Sequence, residues 1–427
     1  MSKRIAVVGS GISGLSTAYH LREQAEVTLF EAGSYFGGHT HTVDVSLTGP
    51  QGLVTHGVDT GFLVFNERTY PGLIALFAEL QVNTSASDMS FSVQTPDASG
   101  QRAMEWSGSN LNTVFAQRSN LFSPTFLGML RDVLRFNTLA NALAERGEDD
   151  ALMQPLGEFL DAHTFGHAFR HWYLLPMLGC IWSCPTDQML QFPVATMVRF
   201  CHNHGLIQVV NRPQWFTVTG GAKHYVEKLL QHIPKTHLQT PVTRIERSES
   251  GARVYTAAGS EAFDGVVLAC HSDQALALLA QPTTQEQTLL GAIRYHPNRA
   301  VLHTDTSVMP KKKLAWAAWN YERATDLGLE SSRVCLHYWI NRLQPLPFSQ
   351  DVVVSLNPLS AIDPSKVLGE YDYAHPVFDL AAIKAQSQLP TLQGQLNTWY
   401  GGAWMGYGFH EDGFKAGRDA ALGILAA

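Results

Sequence analysis

Ile5, Ala6, Val7 and Val8 form an unbroken apolar run that stops at Gly9, and Val27 to Phe30 repeat the pattern before stopping at Glu31. A third continuous run covers residues 265–270. Short apolar runs closed by turn residues are the pattern of strands buried on both faces, so these three predict a parallel sheet. From about Tyr70 the period changes. Apolar residues recur at intervals of three and four over 73–80, 121–144, 156–172 and 188–204, which predicts a largely helical insert. Alternation returns at 240–247 and 252–257. Beyond Pro297 the strand-like runs 300–304, 314–320, 334–340 and 352–356, separated by prolines and polar turns, predict a mixed sheet. A glycine-rich turn and an alanine-rich helix from about Glu411 close the chain.

The first strand runs into Gly9-Ser10-Gly11-Ile12-Ser13-Gly14, a Gly-x-Gly-x-x-Gly run that opens a helix. Strand, glycine turn and helix together form a dinucleotide site. Gly9 permits the tight turn, Gly11 lets backbone approach a pyrophosphate, and Gly14 allows close packing of helix on strand. The helix N-terminus, at Ile12 and Ser13, offers unpaired N–H groups to phosphate charge. Glu31, 22 positions after Gly9 and followed by Ala32, falls where a carboxylate accepts hydrogen bonds from ribose hydroxyls. Gly37-Gly38 follows so closely that the nucleotide is read as FAD rather than a nicotinamide cofactor.

Four separated segments resemble the flavin-containing amine oxidoreductase superfamily, which includes monoamine and polyamine oxidases, protoporphyrinogen oxidase and the carotenoid desaturases. They are the opening fingerprint with Glu31; Phe36-Gly37-Gly38-His39-Thr40; Val58-Asp59-Thr60-Gly61-Phe62; and Gly401-Gly402 with residues 406–421. The resemblance implies an α/β fold, a Rossmann-like FAD-binding domain with an inserted α+β substrate domain. The pattern changes divide it into 1–70, 213–290 and 395–427 for the cofactor, and 71–212 and 291–394 for the substrate. It further implies that Gly37, Gly38, His39 and Thr40 approach the diphosphate and ribityl chain, with His39 standing where many relatives carry arginine. Thr60 and Gly61 would run beside the isoalloxazine, Gly61 because a side chain would meet the ring. Val242 would lie against adenine. Gly402, Phe409, His410 and Glu411 would pass the flavin, with backbone amides near His410 and Glu411 at its pyrimidine end, where donors and a helix dipole stabilise developing negative charge.

Phe409 keeps the ring but not the hydroxyl of the tyrosine that helps cage the amine in the amine oxidases, and Trp404 stands where relatives often carry an acidic residue. Phe409 and His410 are the candidate catalytic residues, with His410 preferred as proton acceptor over His171, His202 and His204. The aromatic and thioether set Trp172, Tyr173, Trp182, Met189, Phe192 and Met197 would either line an apolar tunnel or fill a core. Residues 121–136 predict a helix with a broad apolar face edged by Arg131 and Arg135, packed on the protein's own core or laid on a membrane surface. The reading is therefore an oxidoreductase that takes hydride from a C–H bond of a hydrophobic small molecule or lipid, such as an acyl or isoprenoid-like chain. Amine oxidation and a non-catalytic flavin-binding module are the alternatives.

Composition narrows this picture. At 427 residues and 45% apolar content the chain can hold two cores. The net charge of −7 comes without a charged block, so no nucleic-acid footprint is expected, and Lys311-Lys312-Lys313 reads as a solvated loop. Five cysteines suit a reducing compartment, and with no long apolar window the expected location is cytoplasmic, with the inner face of a membrane within reach. Cys180, Cys184, Cys201, His202 and His204 cluster in sequence, but in an aromatic, apolar setting that fits small buried hydrophobes better than zinc ligands. No metal is expected. No cysteine falls in a motif at the flavin, so FAD should be held without a covalent bond. Without a second dinucleotide fingerprint, electrons would leave to oxygen, a quinone or another carrier.

Overall fold

The computed structural model describes residues 2–96, 102–146, 153–208, 212–324 and 333–427. Its centre is an all-parallel five-stranded sheet in the order Lys235–His237, Ala25–Phe30, Lys3–Val8, Gly265–Leu268, Thr398–Tyr400. Each of the three apolar runs is a strand here, and Ile5, Ala6, Val7, Leu29, Val266, Val267 and Leu268 are buried. Helix Ile12–Leu21 returns between the first two strands.

A seven-stranded mixed sheet forms the second layer, in the order Val367–Val377, Arg294–His303, Val353–Leu356, Cys335–Trp339, Trp319–Glu322, Phe91–Pro96, Arg102–Ser107. Trp319–Glu322 and Phe91–Pro96 pair in parallel and the others antiparallel. The helical stretch thus also donates two strands to this sheet, a feature its helical period did not predict. Strand Val367–Val377, eleven residues long, is missed as well, because Glu370, Tyr371, Asp372, Tyr373 and His375 give it too little apolar alternation.

Backbone chemistry corrects two expected helices and one expected strand. The helix expected over 156–172 ends at Ala162, and Thr164 takes a left-handed φ of 51° before the chain turns at Gly166. The one expected over 188–204 is two, Thr186–Met189 and Val194–Asn203, separated by Pro193. Over 314–320 the chain makes a short helical turn at Lys313–Ala315 before the strand starts at Trp319. Helix Pro124–Arg146 buries Phe126, Met129, Phe136 and Ala140, so its main apolar face lies on the core, while Leu127 and Leu134 face outward beside Arg131 and Arg135. Among the described residues no helix is long and apolar enough to cross a membrane.

Candidate functional site

The first glycine turn is built as its spacing requires, and each glycine answers to a different neighbour. Gly9 has φ of 101°, and a Cβ there would sit 2.7 Å from the carbonyl oxygen of Ala269. A Cβ on Gly14 would fall 1.9 Å from the oxygen of Gly9, so this residue is set by the closeness of helix and turn. Gly11 differs: no protein atom lies within 4 Å of its Cβ position. It faces open space above the start of a helix, the setting for an anion. At the end of the second strand, Glu31 accepts from the amides of Ser10 at 3.0 Å and Gly33 at 2.7 Å. Gly37 and Gly38 lie against this loop; the Gly37 amide donates to the Ser10 hydroxyl at 3.1 Å.

The chain's far end returns to the same place. Ser13, Ser16 and Thr17 on the first helix donate hydroxyl bonds of 2.8–2.9 Å to the carbonyls of Gly413, Phe414 and Gly417 on the last helix, His410–Ala426. Gly413 and Gly417 make the approach; a Cβ on Gly417 would lie 2.1 Å from the Ser13 oxygen. Between these two ends lies a cavity of about 720 Å³. Of the expected cofactor residues, Gly9, Gly11, Ile12, Ser13, Glu31, Ala32, Gly37, Gly38, His39, Thr60, Gly61, Val242, Gly402, Phe409 and His410 line it. The last helix points its N-terminus into this space, with His410 in its first turn.

Three expected residues stand behind the wall rather than on it. Gly14 packs, as described. Thr40 is buried and meets the Tyr225 hydroxyl at 2.6 Å and His410 Nε2 at 2.9 Å. The Glu411 carboxylate accepts from the amides of Gly72 at 3.0 Å and Leu73 at 2.9 Å, so its side chain caps helix Pro71–Glu79. Glu411→Ala should cost about 1 kcal/mol through the two amides left unpaired, read as a lower melting temperature with flavin content retained. Gly61 lines the cavity and is also constrained from within the protein: a Cβ there would strike the His39 carbonyl oxygen at 2.1 Å. Asp59, from the same motif, is turned inward, where Thr42, the Ala222 amide and Gln344 hydrogen-bond it while burial pushes its carboxyl up to about 7.

His410 is a poor proton acceptor for a substrate. Its Nε2 is engaged by Thr40 and, at 2.8 Å, by Tyr225, its ring stacks on Phe62 at 3.7 Å, and burial lowers its pKa to about 3. His39, His271 and His375 also line the cavity. Burial lowers His39 to about 4 and His375 to about 3, so both rings are neutral at physiological pH. His271 and His375 were not legible from any motif; His271 follows the third apolar strand and His375 lies on the strand the pattern missed.

The aromatic set Trp172, Tyr173, Trp182, Met189, Phe192 and Met197 packs in the core, and its neighbours Cys180, Ile181, Ser183 and Phe200 line the cavity instead. Of the cysteines, Cys180 and Cys270 reach the cavity. Burial raises both thiols, that of Cys270 to about 12, so neither is a thiolate at neutral pH. Cys184 and Cys201 are buried with raised thiols, and no metal-holding group forms around them among the described residues.

Residues 12–345 match the family of flavin containing amine oxidoreductases. The chain belongs to that family. It is 28% identical to (S)-6-hydroxynicotine oxidase of Paenarthrobacter nicotinovorans over 245 residues, 57% of this chain and 53% of that protein. The aligned region thus spans about half the length of that relative. Among solved structures, a fatty acid isomerase from P. acnes superposes with a TM-score of 0.67 at 16% identity, covering 98% of this chain and 97% of that one. Cyclohexylamine oxidase from Brevibacterium oxydans IH-35A does so with a TM-score of 0.67 at 15% identity, covering 100% and 99%. At these identities the likeness concerns the fold.

The family is one of flavin-containing oxidoreductases, and the site fits FAD on its own terms. Gly11 leaves a cradle that any Cβ would fill. His39 Nε2 is buried with no hydrogen-bond partner on the wall of the same cavity. Two helix N-termini converge on the space, at Ile12 and at His410.

Proposed function

We propose that this enzyme oxidises a C–H bond of a neutral, hydrophobic substrate, with dehydrogenation of an acyl or isoprenoid-like chain as the first choice. One observation carries the proposal. Beyond the nucleotide end, the cavity is walled by Met89, Ile181, Phe200, Leu206, Trp319 and Val354, and among the described residues the sole charged side chain on its lining, apart from histidine, is Glu31. A cationic amine would find no carboxylate there, and an anionic headgroup no lysine or arginine. Apolar walls favour an alkyl or alkenyl segment through burial alone. The fold it shares with a fatty acid isomerase is compatible with such a ligand.

When bound, FAD would supply the two-electron acceptor for the hydride, the second hydrogen of a dehydrogenation would leave the adjacent carbon as a proton released to solvent, and the electron pair would go on to oxygen, a quinone or another carrier. The protein's part is to exclude water with the apolar walls, to hold the chain, and to set the N-terminus of helix His410–Ala426 toward developing negative charge. In this reading the residues lining the nucleotide end hold the cofactor: Gly11, Ile12 and Ser13 at the diphosphate, Glu31 at the ribose, Val242 near the adenine, and Thr60, Gly61 and Gly402 along the flavin. In the same reading residues 1–70, 213–290 and 395–427 serve the cofactor, and 71–212 and 291–394 the substrate, a division supported by the separation of the parallel from the mixed sheet.

Amine oxidation is the alternative suggested by the named relatives. An aromatic cage needs a gap between rings wide enough for an ammonium group. Phe409 instead stacks directly on Phe200, centroids 4.7 Å apart and planes 24° from parallel. Anaerobic mixing of the flavoprotein with long-chain unsaturated lipids should bleach the oxidised-flavin absorbance, while primary amines should leave it unchanged. Bleaching by cyclohexylamine and not by lipid would overturn the proposal, and no bleaching by either would leave a binding module.

A lipid substrate would have to be met at its source. Phe122, Leu127 and Leu134 are exposed, with Arg131 and Arg135 on the same outward side of helix Pro124–Arg146. This mixture suits the headgroup boundary of an anionic bilayer. The protein should co-float with phosphatidylglycerol vesicles at low salt, and Phe122→Ser/Leu134→Ser should reduce the bound fraction several-fold. Equal flotation of the variant would remove the surface from the proposal.

A further inference from the structure

Strands Trp319–Glu322 and Cys335–Trp339 are antiparallel, with Trp319 opposite Tyr338 and Glu322 opposite Cys335. Side chains alternate along a strand, so the two pairs project from opposite faces of the sheet. Trp319 and Tyr338 look into the cavity. On the outer face, away from the proposed chemistry, Glu322, Cys335 and His337 converge. His337 Nε2 lies 3.0 Å from Glu322 Oε2 and 3.5 Å from Cys335 Sγ, and the sulfur lies 3.8 Å from the same carboxylate oxygen. Cys335 and His337 are fully buried, and the Glu322 side chain is 12% exposed.

Those edges are close to what a tetrahedral ion demands. With metal bonds of about 2.3 Å to sulfur, about 2.0 Å to imidazole and about 2.1 Å to carboxylate, donor atoms stand roughly 3.3–3.6 Å apart. The outer arrangement is that of a metal site too. Ser355 Oγ meets His337 Nδ1 at 2.7 Å and His303 Nε2 at 2.7 Å, which fixes the imidazole and aims its other nitrogen at the centre of the trio. Register sets Gln94 opposite Glu322 on the same face. Gln94 is fully buried and its Oε1 has no hydrogen-bond partner, although its Nε2 donates to the Val308 carbonyl at 2.8 Å.

We propose that Glu322, Cys335 and His337 bind one divalent cation of the zinc class. Thiolate, imidazole and carboxylate together favour zinc over the hard cations calcium and magnesium. Binding displaces the Cys335 thiol proton to solvent and leaves the sulfur as thiolate, so affinity rises with pH. The ion is structural: it ties two strands whose other face presents Trp319 and Tyr338 to the cavity. Neither the proposed substrate nor FAD enters this site, so its test is independent of the assignment of the reaction. The sequence hid it because Glu322 lies 13 positions from Cys335, with no paired-cysteine or paired-histidine spacing to mark the set.

The test uses full-length flavoprotein stripped with chelator and titrated with cobalt chloride. One cobalt per chain is expected, with an intense thiolate-to-cobalt charge-transfer band that zinc chloride abolishes by displacement. Cys335→Ser should remove the band and weaken binding by more than about 100-fold, with unchanged flavin absorbance showing that the fold survives. Glu322→Gln, at the more exposed corner, should weaken cobalt binding by at least about 10-fold, and serves should the cysteine variant fail to fold. Cys201→Ser, in the helical core, should leave both signals as they are. Substoichiometric cobalt, binding without the charge-transfer band, or an undiminished band in Cys335→Ser overturns the site.

Discussion

Gly11→Val is expected to fold and to lose its cofactor, whereas Gly14→Ala is expected to lose both. The Gly11 Cβ position has no neighbour within 4 Å, and its φ of −61° and ψ of 175° are open to valine. The apoprotein should lose no more than about 1 kcal/mol, chiefly from a poorer residue at the helix N-cap. FAD affinity should fall at least about 100-fold, the equivalent of two lost charge-assisted hydrogen bonds at the diphosphate. At Gly14 the added carbon would lie 1.9 Å from a backbone oxygen of the same turn, which no rotamer change relieves. A cost of at least about 4 kcal/mol follows. Thermal denaturation of apoprotein and flavin titration separate the two. Wild-type FAD affinity in Gly11→Val would remove this turn from the cofactor site.

The second large effect concerns a buried ion pair behind the parallel sheet. Both side chains of Arg247 and Glu286 are 2% exposed. The guanidinium binds the carboxylate through both terminal nitrogens, one at 2.9 Å, and Tyr400, on the edge strand, donates to the same carboxylate at 2.6 Å. Arg247→Met should destabilise by about 3–5 kcal/mol, because it strands a buried charge. Burial alone would raise the Glu286 pKa, but hydrogen bonds from Arg247, Tyr400 and Thr283 overcome it and hold the carboxyl at about 2. A carboxyl depressed on folding stabilises above its unfolded pKa of roughly 4.5, and that stability is lost as pH falls toward 2. The variant's deficit should therefore be full at pH 7 and narrow between about pH 4.5 and 2 in chemical denaturation. A deficit independent of pH would show that packing, not charge, is at work.

Much of the parallel-sheet half was legible in the chain because its signals are local. Apolar runs fixed the strands of the parallel sheet, and glycines at set intervals marked where backbone must pass close to something. The mixed-sheet half was less so. Strand Val367–Val377 carries polar residues on both faces, and its Tyr373 and His375 reach the cavity without any pattern to announce it. Nothing in the sequence marks Phe200, which stacks on Phe409 from a helix whose start is set by Pro193. Glu411 was expected at the flavin, and its carboxylate instead caps a helix 339 residues earlier in the chain at Gly72. Such pairings are decided by which elements meet, and sequence spacing carries no trace of them. Arg247 and Glu286 became partners in the same way.

The hydroxyl ladder from Ser13, Ser16 and Thr17 to Gly413, Phe414 and Gly417 joins two helices whose bonded residues at Ser13 and Gly413 stand 400 positions apart. During synthesis the turn at Gly9–Gly14 therefore exists long before its counterpart at Gly413 does. A polypeptide stopped short of residue 410 would carry this cavity with one wall missing.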